Sequence, residues 1–449
     1  MFRRFIALLL VLGCMALIVY ADPFGLPEKL SPTLVLGFML LAAYCIGFIL
    51  EKKGLPRITG YIFAGLLLGP HFLKFYNKEA VADLNFLNSL ALAFIAFCAG
   101  GELKLANIKD KLKSIVFLTT GLTLITFIGV TLFMFAVSGL IPFMSRYGLA
   151  MKLAISAIFG VIAVARSPSS TIAVISETKA KGEYTDTVLS VTIAKDVVVI
   201  VFFAVVISVC EVLITGDSAV SPGFFLELSA EILIAFVLGF LLGKLIVFLI
   251  EKVKIEFPVV ITVMGFLVIN FSHLLGDYLH EVHEIGLNLE PLLICMAAGF
   301  TVQNFSKHGT EFLQRMDSVS FPIYIGFFAI TGANIDVGIL KTAWFLGLVI
   351  TVVRAVTLYF GAYVSGRLSR DPPKIYKNSW LGFITQAGVS LGLLAEVVRR
   401  FPEIGVPIQT ILIASITLNQ VIGPVVFKYA LFKVGEINIP GKGRDPLRK

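Results

Sequence analysis

The chain has 449 residues, of which 57% are hydrophobic and only 15% charged, and its mean hydropathy is +0.93. A soluble domain carries about 25% charged residues, so this composition excludes one and describes an all-α polytopic membrane protein built from apolar runs of about twenty residues, the length that crosses a bilayer as a helix. The net charge of +8 fits cytoplasmic loops rich in Lys and Arg rather than a nucleic-acid surface, and the five cysteines fall inside apolar runs without metal or disulfide spacing.

Residues 1–21 open on Arg3 and Arg4, continue through a short apolar stretch and end on Val19-Tyr20-Ala21. That is the layout of a signal peptide, and equally of an additional transmembrane helix. Thirteen spans follow, at about 32–50, 55–73, 84–106, 113–141, 149–176, 183–214, 224–250, 257–277, 286–304, 317–335, 339–367, 376–398 and 405–433. Basic residues gather in alternate loops: Lys52, Lys53 and Arg57; Lys104 to Lys113; Lys179 and Lys181; Lys252 and Lys254; Lys307 and Arg315; Arg367 to Lys377. The positive-inside rule makes these loops cytoplasmic, together with the basic tail 434–449, as in an inner-membrane protein. The loop Asp277–Glu284 is acidic and carries His280 and His283; it reads as a solvated loop, with cation attraction or pH sensing the sharper alternative.

Two spans are interrupted. In the fifth, Arg166-Ser167-Pro168-Ser169-Ser170 breaks an apolar run, and in the twelfth Gln386, Gly388, Ser390 and Gly392 occupy the centre. Proline removes a backbone donor and clashes with the preceding turn. Non-helical backbone at membrane depth survives only where it is buried in protein or lines a wet cavity. The two breaks hold corresponding places if 32–214 is a first repeat, 222–250 a linker helix and 257–433 a second, inverted repeat, which is the plan of a secondary transporter.

Charges at mid-depth are few: Arg166, Lys195, Asp196 and Arg354. A carboxylate at the midplane costs roughly 2.5 to 3.5 kcal/mol on insertion scales, so Asp196 reads first as an ion or proton site and second as half of a locking ion pair. Lys195 and Asp196 are adjacent and point to different faces of their helix, so each needs a partner elsewhere. Lys195 could release a proton as a cation arrives, or be tethered to Glu102, Glu290 or a helix C-terminus. Broken helices leave half-helix ends with partial charges of about half an electron, which Arg354 and Arg166 would compensate. Ser169, Ser170, Thr171 and Gln386 could offer oxygens to a desolvated monovalent cation, although small polar residues also join membrane helices. Asn270, Asn419 and Gln420 fall in that weaker category. Glu102, Glu290 and Glu396 lie nearer the span ends and suit vestibules.

The stretches Leu55–Pro70 (LPRITGYIFAGLLLGP), Ala99–Leu105 (AGGELKL), Ser169–Val174 (SSTIAV), Lys195–Ile200 (KDVVVI) and Ile330–Leu340 (ITGANIDVGIL) resemble the monovalent cation:proton antiporter superfamily, most closely its Kef-type and sodium/proton exchanger branch. The resemblance covers about residues 32–433. It implies a thirteen-span NhaA-like fold with a dimerisation part and a moving core, the essential acid at Asp196, the basic residue of the penultimate core helix at Arg354, and a homodimer. It also exposes a departure. The position before the acid is usually Asp, Asn or Gln, and here it is Lys195, so the family's salt bridge to the basic residue cannot form. A Kef-type nucleotide-binding domain is not expected after Phe432.

The expectation is therefore an antiporter exchanging Na+ or K+ for protons and serving pH homeostasis, without a cofactor and without enzymatic catalysis, since no nucleophile–base pair, metal set or cofactor loop appears. The alternatives on the same scaffold are an anion or neutral-solute carrier and a sensor that does not transport.

Overall fold

The computed structural model describes residues 2–20, 32–103, 105–215, 222–283, 289, 291–335 and 337–437. In lipid every backbone amide must be paired within the protein, and a helix does this inside one segment. All regular structure among the described residues is accordingly helical. The first half holds α1 (Phe2–Tyr20), α2 (Pro32–Lys52), α3 (Arg57–Leu68), α4 (Lys78–Ala82), α5 (Asn85–Glu102) and α6 (Leu105–Val137). It continues with α7 (Pro142–Ser145), α8 (Leu149–Val164), α9 (Pro168–Thr178) and α10 (Glu183–Thr215). Then come α11 (Pro222–Phe248), closing in a π turn (Leu249–Val253), α12 (Phe257–His283), α13 (Pro291–Phe305) and α14 (Gly309–Ala333). Last are α15 (Val337–Ser369), α16 (Pro373–Tyr376), a 3₁₀ turn (Ser379–Phe383), α17 (Gly388–Arg400) and α18 (Pro402–Lys433).

Among the described residues nine helices are long and apolar enough to cross a membrane. The segments Arg57–Leu68, Phe257–Ser272 and Pro291–Phe305 are apolar but shorter. The helix α1 packs on α2, and the Tyr76 hydroxyl donates to Met15 Sδ at 3.9 Å. The side chains of Asp277–Glu284, Glu290 and the tail beyond residue 437 lie outside the described residues.

The helices pack in two groups. In one, α2 and α14 pack on α3, α5 joins α14 to α13, and α11 and α12 lie against α13 and α5 respectively; in the other, α6, α8, α10, α15, α17 and α18 surround the breaks. Close approach in the first group rests on glycine. A Cβ on Gly100 would strike the Met296 carbonyl and one on Gly299 the Phe97 carbonyl, so α5 and α13 touch backbone to backbone. Gly65 and Gly332 do the same for α3 and α14, against Ala329 and Ile62. Small residues that let backbones meet are the usual means of helix association in a membrane.

Both interruptions are present, and both are displaced slightly from their expected bounds. The fifth segment leaves the helix at Ala165 (φ −62°, ψ 151°), and α9 starts at Pro168. Proline therefore opens the second half-helix rather than interrupting one, because its fixed φ suits the first helical position, where no amide is needed. The twelfth segment is non-helical over residues 384–387, and Gly388 already belongs to α17.

Candidate ion site at the crossing of two broken helices

The two interruptions touch. The Ser167 N–H donates to the Thr385 carbonyl at 2.9 Å. The helix α8 and the 3₁₀ turn both end here, leaving carbonyls without intrahelical partners and a partial negative charge at each end. Arg354, on α15, answers both. Its Nε donates to the Ala163 carbonyl at 2.7 Å, its Nη2 to both Ala165 at 3.2 Å and Phe383 at 3.0 Å, and its Nη1 to Ile384 at 2.5 Å. The side chain is 1% exposed. A planar guanidinium offers five donors in a fixed fork, and only such a group can serve two carbonyl ends at once.

Arg166 stands inside the first break and is equally buried. It donates to the hydroxyls of Thr171 and Thr192 and to the Ser167 carbonyl at 3.3 Å. The Ser167 hydroxyl accepts from the Ser170 amide at 3.3 Å and lies 3.0 Å from the Ser169 hydroxyl, capping α9. Ser169, Ser170 and Thr171 are all buried in that first turn.

On α10, Thr192 and Asp196 are four residues apart and share a face. Asp196 is half-buried and interacts electrostatically with Arg166 and Lys195. Lys195 is 0% exposed, and its Nζ has no hydrogen-bond acceptor among the described residues. The proposed tether to Glu102 is not formed. Instead the ammonium lies 6.0 Å from the centroid of the Phe383 ring, and Arg166 Cζ lies 5.0 Å from the same ring.

Gln386 fills the second break. Its amide nitrogen donates to the carbonyls of Ile162 and Ala165 at 3.1 and 3.2 Å, and its oxygen accepts from Asn419 at 2.8 Å. Asn419 therefore belongs to the crossing although its residue type alone does not mark it. Asn270 does not: it is exposed on α12, with its amide on the Phe266 carbonyl. Thr192 was findable as the polar residue one turn before the acid. Phe383 carried no signal, since one aromatic residue in an apolar span looks like any other.

Glu102 lies elsewhere. On the side of the basic loops a cavity of about 220 Å³ opens between α3, α9 and α14, lined by Arg57, Tyr61, Ser176, Glu177, Asp317 and Tyr324. A narrower pocket beside it holds Glu102, Asp317 and Leu189, and Leu189 is about two turns before Asp196 on α10.

The model of the sodium/hydrogen exchanger transmembrane family matches residues 37–433. A probable Na+/H+ antiporter, GerT of Bacillus cereus, is 25% identical over 361 residues, which are 79% of this chain and 84% of the relative. A Na+/H+ antiporter of Enterococcus hirae is 22% identical over 404 residues, 88% and 97% of the two chains. A solved structure of the sodium–proton antiporter MjNhaP1 from Methanocaldococcus jannaschii superposes with a TM-score of 0.70 over 91% of this chain and 98% of that one. At 19% identity, that likeness speaks for the fold. With nine membrane-length apolar helices among the described residues and a family match over most of its length, this is a multi-pass membrane protein that belongs to the sodium/hydrogen exchanger family.

Proposed function

We propose that the protein exchanges a monovalent cation, Na+ or K+, for protons by alternating access, with Asp196 binding the two in turn. One observation carries the reading: Asp196 is a half-buried carboxylate in electrostatic contact with Arg166, the residue that fills the first break. A carboxylate in that position holds a cation or a proton but not both, and their mutual exclusion is sufficient for exchange. The hydroxyls of Ser169 and Ser170 and the Gln386 amide stand at the same crossing as candidate oxygen donors. Family membership supports the reading, and the similar proteins of B. cereus and E. hirae are named for sodium–proton antiport.

The reading includes thirteen crossings arranged as inverted six-span halves, 32–214 and 257–433, around the linker 222–250. The packing supports it, because exchanging the halves exchanges the contacts. α5 lies on α13 as α14 lies on α3; α12 touches α5 as α2 touches α14; α10 touches α6 as α18 touches α15. The glycines obey the same exchange, and Ala64-Gly65 is echoed by Ala298-Gly299. The group around the breaks would be the moving core, and the group around α3 the part that pairs in a homodimer. The basic loops orient the tail 434–449 to the cytoplasm of a cell-membrane protein; residues 1–21 are a cleaved signal or an additional crossing.

Purified protein in vesicles loaded with a pH dye should move protons in response to a Na+ or K+ gradient. Asp196→Asn should abolish this, and full exchange by that variant would sink the assignment. One acid per site predicts electroneutral exchange, indifferent to a potential clamped with valinomycin. A second reading, carriage of an anion, is favoured by the buried Lys195 ammonium that has no acceptor among the described residues. Uptake that an anion competes for and that ignores Na+ and K+ would select it.

A further inference from the structure

The buried charges at the crossing do not balance by pairing. Arg354 is served by four carbonyls, two at the end of α8 and two at the end of the 3₁₀ turn, so its own donors are answered locally. Among the described residues Arg166 bonds only neutral oxygens, the Thr171 and Thr192 hydroxyls and the Ser167 carbonyl. Lys195 bonds none among the described residues. Among the described residues the carboxylate that interacts with both of these cations is Asp196. If both relied on it, a transported cation would have to displace two resident ones.

The group that faces both is aromatic. Phe383 is 0% exposed, with Arg166 Cζ at 5.0 Å and Lys195 Nζ at 6.0 Å from its ring centroid. A ring face attracts a desolvated cation more strongly than one at an exposed site. The backbone that carries the ring is also held, because the Phe383 carbonyl accepts from Arg354 at 3.0 Å and the next carbonyl, Ile384, at 2.5 Å. One residue thus meets the three buried cations of the crossing, two through its ring and one through its backbone.

We propose that Phe383 is a positioning residue whose ring takes the place of a second carboxylate, drawing Lys195 and Arg166 away from Asp196 and so setting the affinity of the exchange site for its cation. The proposal rests on Asp196 being that site. Weakening the ring's negative face returns the two resident cations to Asp196, where they compete with the transported one. Affinity falls, while the conformational step that limits turnover is untouched.

The test is a series of mono-, di- and trifluorinated phenylalanines at position 383 in the full-length protein, reconstituted in vesicles. Fluorine keeps the shape of the ring and progressively removes its negative face. The apparent KM for Na+ or K+ should rise stepwise, by about tenfold across the series, with the maximal rate nearly constant. A KM that stays flat across the series, or a maximal rate that falls at constant KM, overturns the role. Phe383→Leu removes the ring altogether and should match or exceed the trifluoro variant; should it fail to fold, the fluorinated series still decides. Asp196→Asn separates the two readings. If it still exchanges, the site assignment fails and this proposal goes with it; if it is dead while fluorination has no effect, only the role of Phe383 fails.

Discussion

In the first break Ser167 caps α9 through its hydroxyl, Pro168 opens the half-helix and Arg166 stands between the two halves. In the second, Ala387 precedes α17 without any side-chain cap, and residues 384–387 carry no charge. The second break contributes backbone carbonyls, the Gln386 amide and the Phe383 ring instead. A pair of interruptions with the same outline thus divides its labour: charge and hydroxyls gather on one side, acceptors and an aromatic face on the other. Ser167 and Arg354 tie the sides together, so the two breaks form one polar unit surrounded by apolar helices.

That division can be broken most severely at Arg354, the residue both breaks share. Arg354→Ala strands carbonyls at two half-helix ends, and removing one partner of a buried charged contact costs about 3 to 5 kcal/mol. We expect loss of exchange together with a large fall in melting temperature. Arg354→Lys keeps the charge and loses the fork, so it can serve one end only; it should recover part of the stability and little of the transport. Equal behaviour of Lys and wild type would mean that a point charge suffices and that the two breaks are not coupled through this residue.

How much of this could be read beforehand follows from the physics of each residue. Asp196, Arg354 and the two breaks were legible because charge and proline at membrane depth are costly and therefore conspicuous. The ends of the breaks were not, because Pro168 can interrupt a helix or start one and only the backbone of Ala165 and Ser167 decides. Lys195 was conspicuous but its surroundings were hidden: of the acids named as acceptors Glu102 does not reach it and Glu290 lies outside the described residues, whereas the Phe383 ring faces it. Asn419 escaped because its role depends on Gln386 arriving from another helix. The pairing of α5 with α13 and of α3 with α14 depends on which glycines meet, and glycine is too common in these spans to announce that.

The far ends of the two second halves extend the comparison. Glu177, in the last turn of α9, accepts from the Arg57 amide at 2.9 Å and pairs with Lys428 at 3.5 Å, and Lys428 also donates to the Leu55 carbonyl at 3.0 Å. The carboxylate caps α3 and so joins the group around the breaks to the group around α3. At the far end of α17, Arg400 pairs with Glu396 of its own helix and with Glu211 of α10, both inside the group around the breaks. If the groups move against each other, only the first contact must break. Glu177→Gln should therefore shift the balance of conformations by about 1 kcal/mol, roughly fivefold, read as a changed maximal rate at nearly constant KM. Glu211→Gln should leave the rate within error, and equal effects of the two would remove the distinction.

The smallest effect tests the caps. Ser167 satisfies the Ser170 amide and so relieves one of the donors that every helix start leaves open, whereas α17 begins without such help. A lost N-cap costs about 1 kcal/mol. Ser167→Ala should lower the melting temperature of the purified protein slightly, and Ser167→Asn, which also accepts from a helix amide, should restore it. The hydroxyl also touches those of Ser169 and Ser170. If Ser167 only caps, the Asn variant regains both stability and cation affinity. If its hydroxyl helps aim those two oxygens at the cation, Asn regains stability while KM stays raised. The two quantities separate at this position because the serine stands where the start of a helix and the proposed ion site coincide, a coincidence that the uncapped second break does not have.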